Sequence, residues 1–400
     1  MTPHRSSFAR GSRCRVSSLA GLALLCVLTC GLAVAVRSAS AGESRAGRIT
    51  RALPGLAYAD QQQKPQTQTD PQVKAILDQL AGAGVLHPRT LDQVRAAYSL
   101  YAEFAGTPEN VFRVEDRTIP GPAGEIGVRL YVPRAGGGLP VWVFFHGGGF
   151  VTGSLDTHDA PLRAVANRCD CLIVSVAYRL APENRYPAAP NDAYAATQWV
   201  AAHAAEIGGD PARIAVGGDG AGGNLAAVVA LMSRNHVDSL LLDSKVRGKT
   251  DARPALGSGL HLTYQVLIYP TVDLSLLTNS WILSHDPVFT TDSMSLMTSM
   301  YVPMLVNPQE PYLSPTNASS LRGLPPTFLV TDQDDPVWDE AQIYAHRLID
   351  AGVPVQVSSY PNVIHGFFLM AGRLDAGRKV IDEIGAHLKA AFAGEALGAS

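Results

Sequence analysis

From about residue 140 onward, short apolar runs recur along the chain, and most end in a turn signal. "VWVFF", "LIVSVAY", "RIAVGG", "QVLIYP" and "TFLVTD" are rich in β-branched and aromatic residues and show no polar alternation. Runs of this kind read as strands buried on both faces. Between several of them the apolar residues shift to helical spacing, as in "AYAATQWVAAHAAEIG" (Ala193–Gly208) and "DEAQIYAHRLIDAG" (Asp339–Gly352). Strands alternating with helices predict an α/β fold with a mostly parallel sheet covered on both sides. "IGVRLYVP" alternates instead and fits an antiparallel edge strand.

Upstream the pattern is helical. In "DPQVKAILDQL" Asp70 stands as an N-cap and Pro71 at the first helical position, with Val73, Ile76, Leu77 and Leu80 on one face. "TLDQVRAAYSLYAEFA" predicts a second helix, so two helices fill about residues 70–105. Residues 42–69 are polar and Gln/Pro-rich, with little to bury, and read as a disordered linker. Residues 1–41 read as an export signal: Arg5, Arg10, Arg13 and Arg15 precede the apolar Leu19–Val36, and Ala39-Ser40-Ala41 offers a cleavage site. The rival reading is an uncleaved N-terminal membrane anchor, since the apolar core approaches spanning length. The remaining 70–400 form one domain, interrupted by an aperiodic surface excursion at 234–261.

Composition narrows the function. The chain of 400 residues is 46% hydrophobic and 17% charged, as globular domains are. Its net charge is −3, and cleavage after residue 41 leaves 27 basic residues against 35 acidic ones, a charge of −8. A mildly acidic protein has no electrostatic case for binding nucleic acid. Export places it in the periplasm or outside the cell, free of the membrane once the leader is cut. Two cysteines lie beyond the leader, Cys169 and Cys171 in "CDCLIVSV". Two residues apart on a strand, they read as small buried hydrophobes. A short-loop disulfide is the alternative, and the spacing does not suit zinc.

The chemistry centres on "ARIAVGGDGAGGNLAAVV" (Ala212–Val229), a strand, a glycine turn and a helix. Gly218, Gly220 and Gly223 match a dinucleotide-binding fingerprint, with Asp238 or Asp243 as the ribose-binding acid. The same stretch is a hydrolase nucleophile elbow if Gly220 stands where a serine belongs. That second reading makes three further demands, and the sequence meets each in order. His146-Gly147-Gly148-Gly149 follows a buried strand and can aim N–H groups at an oxyanion. Asp335, before Pro336, follows the strand "TFLVTD". His365 comes last, beyond a further strand.

Longer stretches carry a resemblance. "FFHGGGFVTGSLDTHD", "AYRLAPENRYPAAPNDAYAATQWV", "DPARIAVGGD", "AGGNLAA", "LSPTNASSLRGLPPTFLV" and "AGVPVQVSSYPNVIHGFF" make residues 70–390 resemble the hormone-sensitive-lipase-like bacterial carboxylesterases. The resemblance implies an α/β-hydrolase fold with a helical cap built partly from the N-terminal helices. It implies hydrolysis of short- to medium-chain esters without cofactor or metal. Matched residue by residue, His365 is the general base and Asp335 its orienting acid. Gly148, Gly149 and Ala221 supply the oxyanion donors, His146 is structural, and Asp219 precedes the nucleophile. The nucleophile itself departs from the pattern, because Gly220 replaces serine. Trp338 stands near the acid where an arginine is usual, and Ala177 where an aspartate often precedes Tyr-Arg-Leu. Two readings stay open at this point. The chain is an ester hydrolase that has lost its serine, or a natural non-catalytic relative that binds an apolar or ester-like ligand. Oligomeric state is not legible.

Overall fold

Strand β3 (Leu139–Phe145) shows how the apolar runs become a sheet, since every residue in it is buried. Side chains alternate across a strand. Val141, Val143 and Phe145 therefore share one core with α4 (Ala188–His203) and α5 (Ala221–Arg234), through Val200, Leu225 and Val229. Trp142 and Phe144 join the opposite core with α3 (Asp159–Cys169) and α9 (Asp375–Phe392), through Leu162, Val165, Ile381 and Ile384. Each fully buried side chain of this size is worth about 1.5–3 kcal/mol. Exposed ion pairs are worth about 0–1 kcal/mol, so the two apolar layers hold the sheet. The computed structural model describes residues 70–235, 260–275, 278–284 and 286–395. The expected leader (1–41), the linker (42–69) and most of the 234–261 excursion lie outside the described residues.

Eight described strands form one sheet in the order β1-β2-β4-β3-β5-β6-β7-β8. They are β1 (Arg113–Gly121), β2 (Gly124–Val132), β3, β4 (Leu172–Ala177), β5 (Gly209–Asp219), β6 (Tyr264–Ile268), β7 (Thr327–Asp332) and β8 (Val355–Tyr360). Pairing is parallel from β4 across to β8 and antiparallel for β1–β2 and β2–β4. The α/β-hydrolase fold expected from the sequence is thus present. One placement needs correction. "IGVRLYVP" lies in β2, which is antiparallel but one strand in from the edge, because β1 forms a hairpin outside it.

The N-terminal helices form as expected. Asp70 Oδ1 accepts the Gln72 N–H at 2.7 Å and caps α1 (Pro71–Gly82). Helix α2 (Leu91–Phe104) buries Val94, Ala97, Tyr101 and Phe104. Its Arg95 donates to Val151 O at 3.0 Å, just beyond the glycine loop, and pairs with Glu183 at 2.9 Å. Two further helices, α6 (Asn279–Leu283) and α7 (Thr291–Tyr301), lie between β6 and β7, and α8 (Trp338–Asp350) follows β7. On either side of the undescribed residues 236–259, the Ser233 hydroxyl donates to Leu260 O.

The cysteines do not behave as two buried thiols on a strand. Cys169 ends α3, Asp170 turns through a left-handed φ of 52°, and Cys171 precedes β4. The turn brings the Cα atoms to 5.2 Å, and the two form a disulfide. A strand would hold them about 6.6 Å apart.

Candidate active site

Strand β5 ends at Asp219 and α5 begins at Ala221, so the whole change of direction falls on Gly220, at φ 52° and ψ −114°. Three hydrogen bonds fix it there. Its N–H donates to Ile268 O at 2.9 Å, and its carbonyl accepts Asn224 N–H at 3.1 Å and Thr271 N–H at 3.2 Å. A side chain held in this conformation stores strain of about 1–3 kcal/mol. Behind it, α5 presses on the end of β3. A Cβ on Gly222 would run into the Phe145 carbonyl, which is main chain and cannot swing aside. Gly222→Ala is expected to destabilise the fold by about 1–3 kcal/mol or more, read by urea or thermal unfolding. An unchanged transition would show that the elbow is not seated against β3.

The glycine loop follows β3 and is tied to the elbow. Gly147 N–H donates to Asp219 Oδ1 at 2.8 Å, and His158 Nε2 lies 3.0 Å from the same oxygen. Asp219 is 2% exposed. Its carboxylate turns back to anchor the loop. His146, expected to be structural, is buried beside the loop it begins. Its Nδ1–H donates to Gly147 O at 2.8 Å, and its ring stacks on Tyr178 at 4.3 Å. Burial, aided by neighbouring His158, pushes its pKa down to about 4. Gly148 and Gly149 take φ 111° and 60°, with the Met297 side chain against Gly149. The N–H groups of Gly148, Gly149 and Ala221 donate to no described residue.

Asp335 and His365, the expected acid and base, arrive from the other half of the sheet. Asp335 lies just past β7 and is 1% exposed; its Oδ1 accepts the Val337 N–H at 3.0 Å. His365 follows β8, and its Nδ1–H donates to Asp335 Oδ2 at 2.6 Å. Its Nε2 lies 3.4 Å from the position a Cβ on residue 220 would take. Tyr269 and Phe289 flank the imidazole, with centroids at 4.6 Å and 4.1 Å. The structure therefore brings Gly220, Asp335 and His365 together, with the glycine loop tied to the residue before Gly220.

Burial works against a charge on His365, but Asp335, through its charge and hydrogen bond, and then Asp286 and Asp219 outweigh it. The imidazole pKa is raised above 6.5. A general base must be neutral to take a proton. Once a serine stands at 220, kcat/KM should fall as pH drops through a midpoint above 6.5. A pH–rate profile checks this, and a midpoint below that value would mean that the carboxylates do not load the base.

Sequence reasoning missed Asp286, whose Oδ2 accepts the His365 N–H at 2.7 Å, and buried Asp332 at the end of β7. Burial first, then repulsion from Asp335 and Asp286, pushes the Asp332 carboxyl well up. Ser154 is a turn residue, as expected: its hydroxyl accepts the Thr157 N–H at 3.3 Å, and its own N–H donates to the Thr157 hydroxyl at 3.0 Å. Of the dinucleotide fingerprint, Gly218 and Gly223 serve close packing against main chain and Pro270. Asp238 and Asp243 lie outside the described residues.

Comparison with known proteins adds to this geometry. A family model described as alpha/beta hydrolase fold matches residues 142–369. Carboxylic ester hydrolase LipN of Mycobacterium tuberculosis is 39% identical over 301 residues, covering 74% of this chain and 76% of LipN. Carboxylesterase NlhH of the same organism is 38% identical over 310 residues, covering 74% of this chain and 88% of NlhH. Among solved structures, an esterase of Pyrobaculum calidifontis superposes with a TM-score of 0.70 at 38% identity, over 81% of this chain and 99% of that one.

Proposed function

The chain belongs to the alpha/beta hydrolase family and is carboxylesterase-like within it, and from that premise we propose that its site is a serine ester hydrolase site with Gly220 in the nucleophile position. One observation carries the proposal. His365 Nε2 points at residue 220 from 3.4 Å beyond its missing Cβ, which puts a serine hydroxyl within hydrogen-bonding reach. Each remaining part has a role. His365 takes the proton from the nucleophile and returns it to the leaving alcohol. Asp335 holds the Nδ1–H tautomer and stabilises the imidazolium. The N–H groups of Gly148, Gly149 and Ala221 receive the charge that develops on the carbonyl oxygen. The substrate class is a short- to medium-chain ester, and the leader-like residues 1–41 support action in an exported compartment.

As written, the chain has no hydroxyl at 220, so no acyl-enzyme forms there and ester turnover is little or none. The test compares residues 42–400 carrying Gly220 with the Gly220→Ser variant on a short-chain p-nitrophenyl ester. Turnover in the serine variant alone supports the proposal. Two folded, inactive proteins would favour the non-catalytic reading, in which the site holds an apolar or ester-like ligand.

A further inference from the structure

His365 sits in a loop beyond the sheet, so its backbone N–H has no strand partner. A buried N–H needs an acceptor, and this one finds Asp286 Oδ2 at 2.7 Å. Asp286 is 4% exposed. Its other oxygen accepts Val288 N–H at 2.8 Å and Phe289 N–H at 2.7 Å. One carboxylate thus joins the backbone of the base to the segment that carries Phe289. The Phe289 ring stacks on the His365 imidazole at 4.1 Å with 27° between planes.

The same segment is fastened to the acid loop. Ser284 Oγ donates to Asp334 O at 2.7 Å, next to Asp335 in the chain. Ser280 Oγ donates to Pro336 O at 2.8 Å, and Ser280 N–H donates to Asp339 Oδ2 at 2.8 Å. Trp281, Met294 and Val337 close a small apolar cluster against Phe289. Residues 278–284 and 286–289 therefore bridge the loop of the acid and the loop of the base.

We propose that Asp286 is a positioning residue for the hydrolytic base, holding the His365 backbone and the Phe289 ring in one register so that Nε2 faces residue 220. The Asp335 bond alone leaves the imidazole free to tilt about the Nδ1–Oδ2 axis. The Phe289 stack removes that freedom, and Asp286 places both ends of the stack. This inference rests on the ester-hydrolase reading for its chemistry, but the placement is testable without it.

The experiment uses two proteins. In the Gly220→Ser chain, Asp286→Asn is expected to lower kcat by about tenfold to a hundredfold and to leave KM within about threefold, as a small misplacement of a catalytic group does. In the chain carrying Gly220, proton NMR reads the low-field His365 Nδ1–H resonance, identified by its loss in His365→Gln. Asp286→Asn should shift or broaden it. Phe289→Leu keeps Asp286 and removes only the stack; it should lower kcat less and also move the resonance. If Asp286→Asn does not fold, Asp286→Glu, which keeps the charge but displaces both oxygens from the three N–H groups, takes its place with the same two readouts. Folded variants with unchanged kcat and an unmoved resonance overturn the proposal. If Gly220→Ser has no activity of its own, the ester-hydrolase reading has failed, and the resonance still decides whether Asp286 positions the ring.

Discussion

Gly220→Ser should raise turnover of a short-chain p-nitrophenyl ester by about 10⁴-fold or more, the scale on which losing a nucleophile disables a serine hydrolase. Nothing else needs to move. The added Cβ stands 3.4 Å from His365 Nε2, an ordinary contact. The three hydrogen bonds that fix the Gly220 backbone already impose the elbow conformation. The gain in activity comes with lower stability. Serine would sit at φ 52°, where glycine is comfortable and other residues are not. A loss of about 1–3 kcal/mol is expected, seen as a lower unfolding midpoint. A serine variant that gains activity and loses no stability would show that the elbow relaxes around its new side chain.

In that serine background, Asp335→Asn should lower kcat by about 10⁴-fold, as in the protease precedent where the acid only orients the histidine. The asparagine preserves shape but turns a donor toward Nδ1, so the imidazole adopts the tautomer that cannot accept a proton at Nε2. His365→Gln should be at least as damaging. The same Asp335→Asn change made on Gly220 should leave the negligible ester turnover unaltered. Four proteins thus form a cycle whose two changes are strongly non-additive. Independent, additive effects would mean that Asp335 acts on the fold and not through His365.

Much of this was legible in the residues. Most of the parallel strands are short apolar runs because both faces are covered, and the glycine loop and Asp335 stand just past such runs, while β8 before His365 is a part-exposed edge strand. His146–Gly149 after β3, Asp335 after β7 and His365 after β8 need only chain order to be found. The outer hairpin was harder. β1 is half-exposed along most of its length and contains Pro120, so neither the apolar-run nor the alternation signal stands out. The disulfide was legible only as the alternative to two buried thiols, because it depends on one left-handed residue, Asp170, which turns a helix end against a strand start. Asp286 left even less trace. It lies in an aperiodic stretch, and its importance comes from a contact with His365 across 79 positions of chain.

The joint at Ser233 and Leu260 has a further meaning. It falls between β5 and β6, which are neighbours in the sheet. Every described strand before the joint lies on one side of that seam, and every described strand after it lies on the other. Gly220, Ala221 and the glycine loop belong to the first piece; Asp335, His365 and Asp286 belong to the second. The polypeptide is therefore laid out as two complementary fragments, one carrying the proposed place of attack and the other the proposed proton relay. Severed at the joint, neither fragment holds a full set of the proposed reactive groups, and in the Gly220→Ser chain ester turnover would report on their reunion across the β5–β6 pair and the α3–α9 face.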